Sequence, residues 1–124
     1  MEFQMEIAQT PPSFNARMVG GGKVPWQYIR AKKAWEGNLM IMLIRAKVPR
    51  GLKLVVAEAE MRFKSKRKRD EGNYRVMIEK AFGDTLVAGG WLPDDTPDHY
   101  RFERVAILQQ RGDPQTVVRL KVEG

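Results

Sequence analysis

Residues 52–90 read LKLVVAEAEMRFKSKRKRDEGNYRVMIEKAFGDTLVAGG, and the fold turns on how this stretch divides. Leu52 to Lys64 is strand-like, with Leu54, Val56, Met61 and Phe63 as its apolar positions, although Ala57-Glu-Ala-Glu60 blurs the phase. Lys64-Ser-Lys-Arg-Lys-Arg69 then places five positive charges in six residues. Asp70-Glu-Gly-Asn73 turns the chain. Tyr74 to Ala88 reads as a helix, and Gly89-Gly90 ends it, because glycine adopts the left-handed conformation that closes a helix.

Upstream, Phe3, Met5 and Ile7 alternate with Glu2, Gln4 and Glu6, the period of a half-buried strand. Pro11 and Pro12 stop that strand, since proline supplies no backbone donor. Gly20-Gly-Gly22 marks a loop. Pro25 is placed to open a helix running to Lys47, with Trp26, Ile29, Ala34, Trp35, Leu39, Met42 and Leu43 recurring at three- and four-residue steps and Gly37-Asn38 as its weak point. Lys23, Arg30, Lys32 and Lys33 fall around its start and polar side, where charges are normally solvated.

Downstream, Trp91 to Asp98 is a loop. His99 to Gln109 and Thr116 to Val122 are two strands, and Arg111-Gly-Asp-Pro114 between them predicts an antiparallel hairpin. The order β-α-β-α-β-β implies a single α+β domain over 1–124, a mixed sheet packed by two main helices. Trp26 and Trp35 are expected in the core. Trp91 either stacks on a base or plugs the domain, and His99 is expected at the surface of a strand start.

Composition narrows the function. The 124 residues carry 22 Lys plus Arg against 15 Asp plus Glu, a formal charge of +7, which favours polyanion partners. There is no cysteine, which excludes disulfide scaffolds, zinc fingers, iron–sulfur clusters and thiol catalysis. One histidine excludes any site needing two from one chain. Carboxylates, lysine, arginine and hydroxyls remain. No apolar run approaches the roughly 20 residues that span a bilayer, and the acidic, alternating start is unlike a signal peptide, so a cytoplasmic protein away from the membrane is expected.

The chemistry-bearing stretch is 64–98. With Asn73 taken as zero on a helical wheel, Lys80 falls near ~340° and Asp84 near ~20°, one narrow polar stripe. Tyr74, Met77, Ile78 and Ala81 occupy the neighbouring arc and should face the core. Glu79 falls beside Arg75, the spacing of a surface ion pair. An acidic loop with Asp94, Asp95 and Asp98 follows. Hydrolysing a phosphodiester needs an activated water and stabilisation of the leaving oxyanion. Mg²⁺ held by carboxylate oxygens serves both needs, a lysine stabilises charge developing on phosphate, and a basic run holds a nucleic-acid backbone.

Four features of this chain resemble the RusA-type Holliday junction resolvases. After the first strand comes Pro11-Pro-Ser-Phe-Asn15, similar to the family's PPS-x-N opening. Lys68-Arg-Asp70, with Asn73 three residues on, is similar to its basic strand end running into an Asp. Lys80-Ala-Phe-Gly-Asp-Thr-Leu86 is similar to its K-x-x-x-D-x-L helix, and Gly90-Trp-Leu-Pro-Asp-Asp95 to its glycine followed by an Asp pair. The order and approximate spacing match from residue 7 to about 108.

The resemblance implies a small dimeric, Mg²⁺-dependent endonuclease of branched DNA, acting in recombination or repair. By position it makes Asp70 and Asp95 metal ligands, Lys80 the assisting lysine, Asp84 the Asp one turn later and Asn15 the Asn of the opening motif. Lys64, Lys66, Arg67, Lys68, Arg69 and Asn73 would join Asn15 in contacting DNA. The family's D-x-D-N is here Asp70-Glu71-Gly72-Asn73, so one carboxylate is absent; Glu71, Glu79 and Asp84 are the candidates for its place. The gap from Asn73 to Lys80 is also about one helical turn longer than the family's. The alternative reading is a catalytically weakened DNA-binding protein of the same fold. A small interaction module without nucleic acid fits the composition but leaves the acidic constellation unused.

Overall fold

The elements are β1 (Glu2–Ile7), α1 (Trp26–Arg45), β2 (Leu54–Phe63), α2 (Glu71–Ala88), β3 (Tyr100–Gln109) and β4 (Gln115–Glu123). They come from a computed structural model that describes residues 1–12, 26–64, 69, 71–110 and 112–124. The sheet is organised around β2, whose burial alternates without interruption. Val55, Ala57, Ala59, Met61 and Phe63 enter the core, while Glu58, Glu60 and Arg62 stand on the opposite face. The Ala-Glu-Ala-Glu segment that blurs the phase in sequence therefore keeps it in the structure, with alanines inward. A bulge follows Ala57: Ala57 pairs with Phe102 and Glu58 with Arg104, leaving Glu103 as the extra residue of β3.

The strand order is β1-β4-β2-β3. β4 runs antiparallel to both β1 and β2, and β3 runs parallel to β2. The hairpin expected of the last two strands is thus corrected. β4 crosses the end of β2 and inserts between β2 and β1, so β3 and β4 are not neighbours. Burial explains the choice. Thr116, Val117, Val118, Leu120 and Val122 of β4 are all buried and suit an interior strand, whereas Arg101, Glu103, Arg104, Leu108 and Gln109 of β3 are exposed and suit an edge. The connection has only to span two strand spacings, roughly 10 Å, and its first residue is tied to β2 where Gln110 N–H donates to the Phe63 carbonyl at 3.0 Å.

The α+β architecture read from the sequence is what forms: two helices packed on a four-stranded mixed sheet. Leu39 and Leu43 of α1 and Met77, Ile78, Ala81, Phe82 and Leu86 of α2 are fully buried with the inward residues of the strands. α1 runs unbroken through Gly37-Asn38. α2 starts at Glu71, so Glu71 to Asn73, expected in a turn, form its first turn, where an acidic residue favours the helix dipole. Trp35 is buried but Trp26 is 73% exposed, so only one of the two helical tryptophans is core. The described helices include none long and apolar enough to cross a membrane.

Both helices end in the same way. Gly90 has φ +78°; its N–H donates to the Val87 carbonyl at 3.1 Å, and that of Trp91 to the Leu86 carbonyl at 2.9 Å. At the end of α1, Lys47 takes φ +58°, its N–H donates to the Ile44 carbonyl at 3.1 Å, and that of Val48 to the Leu43 carbonyl at 3.2 Å. Lysine thus holds a position that favours glycine, with an exposed side chain. Lys47→Gly is expected to stabilise the fold by about 0.5–1 kcal/mol, the strain relieved less the added freedom of the unfolded chain. A denaturation midpoint that falls would contradict this account of the helix end.

Candidate functional site

α2 divides its surface sharply. Met77, Ile78, Ala81, Phe82, Gly83, Thr85 and Leu86 are buried, which leaves Lys80 and Asp84 one turn apart on the outer side. The Lys80 Nζ lies 3.4 Å from Asp84 Oδ1 and 3.9 Å from Asp95 Oδ2. The other oxygen of Asp84, Oδ2, accepts a hydrogen bond from Lys32 Nζ of α1 at 2.9 Å, and Lys32 also meets Glu36 Oε1 at 3.3 Å. Glu36, Lys32, Asp84, Lys80 and Asp95 therefore form a line of alternating charge that starts on α1, crosses α2 and ends on the loop that follows it.

The line has a wet end and a dry end. The Lys80 side chain is 63% exposed, that of Lys32 only 24%. Burial pulls the Lys32 ammonium toward its neutral form, but the hydrogen bond to Asp84 and then the charge and hydrogen bond of Glu36 outweigh it and hold its pKa above the ordinary lysine value. Lys80 points into a shallow open pocket of about 390 Å³ lined by Val76, Glu79, Lys80, Asp95, Pro97 and Tyr100.

The Tyr100 ring packs against α2 where Gly83 has no side chain, and Asp95 lies beside it. A Cβ there would stand 2.9 Å from the Tyr100 ring and 3.5 Å from the Asp95 Cβ. Tyr100, largely buried, donates from its hydroxyl to the Glu79 carbonyl at 2.7 Å. Burial, and then the carboxylates of Glu79, Asp95 and Asp84, push its phenol far above the usual range, so it acts only as a neutral donor. Asp94 serves the loop itself, its carboxylate accepting the Asp95 N–H at 2.8 Å.

The residues singled out from sequence divide into three groups. Lys80 and Asp84 come together as the helical spacing suggested, and Asp95, assigned to the site by the resemblance, lies 3.9 Å from Lys80. Glu79 also lines the pocket while pairing with Arg75 at 3.0 Å. Glu71 opens α2 nine residues before Lys80, about 13 Å along the helix axis, and half-buried Asn73 lies in the same first turn. Lys64 is exposed just past the end of β2, and the Arg69 guanidinium lies 3.8 Å over the Phe63 ring. Asn15, Lys66, Arg67, Lys68 and Asp70 lie outside the described residues, as do Gly20-Gly-Gly22, Lys23, Pro25 and Arg111.

Three residues at this site escape a reading of the sequence. Lys32 looked like one solvated lysine among several, and its partner is 52 positions away. Tyr100 looked like an ordinary strand residue. Gly83 left only a weak trace, a glycine inside a helix pattern that costs about 1 kcal/mol against alanine.

Carboxylate oxygens are the donors Mg²⁺ prefers, and Asp95 and Glu79 supply them at the pocket. They match the ion in kind but not in number. Among the described residues no group of three or more acidic or histidine side chains stands where it could hold a metal ion. Asp70, the remaining carboxylate of the expected set, is outside them.

Gly83→Ala should be net destabilising. The substitution favours the helix by about 1 kcal/mol, but the Tyr100 ring is held by its hydroxyl and cannot retreat freely, and overpacking of this kind costs about 1–3 kcal/mol. Equilibrium denaturation reads the net sign, and a more stable variant would show that the close approach is not tight.

No protein-family model matches the chain, and no curated protein matches it.

Proposed function

We propose that the protein is a Mg²⁺-dependent endodeoxyribonuclease that cuts branched DNA, resolving four-way junctions in recombination or repair. The observation that carries the reading is the exposed Lys80 ammonium set beside Asp95 at an open pocket, in a chain with an excess of seven positive charges. The order of motifs that resembles the RusA-type resolvases supports the same reading and supplies the substrate class.

In this reading Asp70 and Asp95 would hold the metal, with Glu79, also at the pocket wall, as a further carboxylate. A metal held there would lower the pKa of a water and neutralise charge on the phosphate. Lys80 binds the non-bridging phosphate oxygens and stabilises charge as it develops. Tyr100 fixes the α2 backbone at Glu79. Lys64, Lys66, Arg67, Lys68 and Arg69, with Asn15 and Asn73, engage the DNA backbone. Two copies related by a two-fold axis match the near two-fold symmetry of a junction and provide two cuts. The reading puts the protein with DNA in the cytoplasm.

Gly72, in place of the second Asp of the family pattern, favours a second reading, a DNA-binding protein with weakened catalysis. One experiment separates the two: incubation with synthetic four-way junctions and with linear duplex, with and without Mg²⁺. The enzyme cuts the junction only with Mg²⁺, and Asp95→Asn abolishes cutting while leaving junction binding intact or stronger, because a negative charge beside the phosphate is lost. Junction binding with no cutting in any metal selects the second reading. A folded Asp95→Asn protein that cuts at the parental rate would remove Asp95 from the chemistry.

The basic run makes a separate expectation. Each phosphate contact contributes about 0.9 to the slope of log affinity against log salt. Replacing Lys66, Arg67 and Lys68 together by Ala should therefore weaken metal-free binding and reduce the slope by about 2–3, measured by fluorescence anisotropy over a salt series. An unchanged slope places the DNA face elsewhere.

A further inference from the structure

We propose that Lys32 is a positioning residue for Lys80, acting through Asp84. The inference rests on Lys80 being the phosphate-binding lysine of the proposed site. Asp84 lies between two ammonium groups and offers each a different oxygen, Oδ2 to Lys32 at 2.9 Å and Oδ1 to Lys80 at 3.4 Å. The shorter contact is to the less exposed lysine, which Glu36 also anchors on α1. Asp84 is thus held from the α1 side, and what it presents to Lys80 is one oxygen at a fixed place.

This arrangement decides how available Lys80 is. A carboxylate with no other partner would close on Lys80 as a tight one-turn pair and neutralise it. With Lys32 taking Oδ2, Asp84 is already charge-compensated, and Lys80 stands between two carboxylates at distances beyond a good hydrogen bond. Its ammonium is oriented toward the pocket and retains capacity for an incoming phosphate oxygen. The charged groups facing it are Asp84 and Glu79 on its own helix, Lys32 across on α1 and Asp95 on the following loop. Asp84, placed by sequence among the metal candidates, has a different task in this account: it transmits the position of α1 to Lys80.

The test reads the order parameter of the Lys80 ammonium by nitrogen NMR on lysine-labelled protein, with the variants Lys32→Met, Lys32→Arg, Asp84→Asn and the double variant Lys32→Met/Asp84→Asn. Lys32→Met should raise it, as Asp84 turns fully to Lys80 and closes the pair now open at 3.4 Å. Lys32→Arg should restore the parental value. In the Asp84→Asn background, Lys32→Met should change it by much less. An equal change in both backgrounds would mean that Lys32 does not act through Asp84, and would overturn the inference; so would no change in either.

A second arm reads phosphate engagement through metal-free binding of duplex DNA. Lys32→Met should weaken binding several-fold in the parental protein and by less than about twofold where Lys80 is already Met. Equal losses in the two backgrounds contradict action through Lys80. If the parental protein binds no DNA at all, the nucleic-acid reading fails, and the order parameter of the Lys80 ammonium still decides whether Lys32 positions Lys80.

Discussion

The site depends on how α2 is stopped. Trp91 follows the left-handed Gly90 and is fully buried, its indole N–H donating to the Val48 carbonyl at 2.9 Å. Arg50 covers the ring at 4.5 Å and donates to the Gly89 carbonyl at 2.8 Å. Backbone bonds from Gly51 to Gly90 and from Leu52 to Trp91 close the same joint. The turn between α1 and β2 and the turn after α2 are therefore one packed unit. A Cβ on Gly89 would stand 2.1 Å from a Trp91 ring carbon, so residue size on both sides fixes the joint. From it the chain turns back beside α2, where the Leu92 N–H donates to the Leu86 carbonyl at 3.1 Å, and Asp95 follows with its carboxylate 3.9 Å from Lys80.

Much of this was legible in sequence, and the limits are physical. Helix faces follow from a local period, so the burial of Met77, Ile78 and Ala81 and the shared stripe of Lys80 and Asp84 could be read directly. The Arg75–Glu79 pair is local in the same sense. The strand order could not be read this way. Arg111-Gly-Asp-Pro114 has turn chemistry suited to a hairpin, and whether the chain folds back on β3 or steps over β2 is decided by which strand has more apolar surface to hide. Val117, Val118, Leu120 and Val122 carry that surface in the sequence, but the turn residues that precede them are the same for either course.

Trp91 presents the same lesson at a single residue. A tryptophan in a loop beside proline is compatible with a stacking platform and with a plug. The choice falls to the plug because Val48 supplies a carbonyl for its N–H, and that partner is 43 positions away. Lys32 is a similar case. Its place on the polar side of α1 suggested no more than a solvated charge, and the bond that matters is made to another helix. Long-range polar partners are where a single sequence carries least information, and the candidate site is built mostly from them.

Ion pairs at this degree of exposure contribute about 0–1 kcal/mol each to stability, so the line from Glu36 to Asp95 is too weak to hold the fold together. Its effect is on placement of charge. The face of the sheet opposite the described helices shows the contrast. There Arg119 pairs with Glu60 at 2.9 Å and lies 3.8 Å from Glu58, and Arg62 pairs with Glu60 at 3.1 Å. The hydrogen bonds from Arg119 and Arg62 hold the Glu60 carboxyl below its ordinary range, so the acidic residues of β2 are compensated on their own face. At the candidate site compensation stops one step short. Lys80 is the most exposed cation of the line, facing carboxylates at long range and an open pocket. A net positive chain draws a polyanion to its surface without regard to orientation, and a cation left incompletely paired at one defined place can turn that general attraction into contact with a particular phosphate.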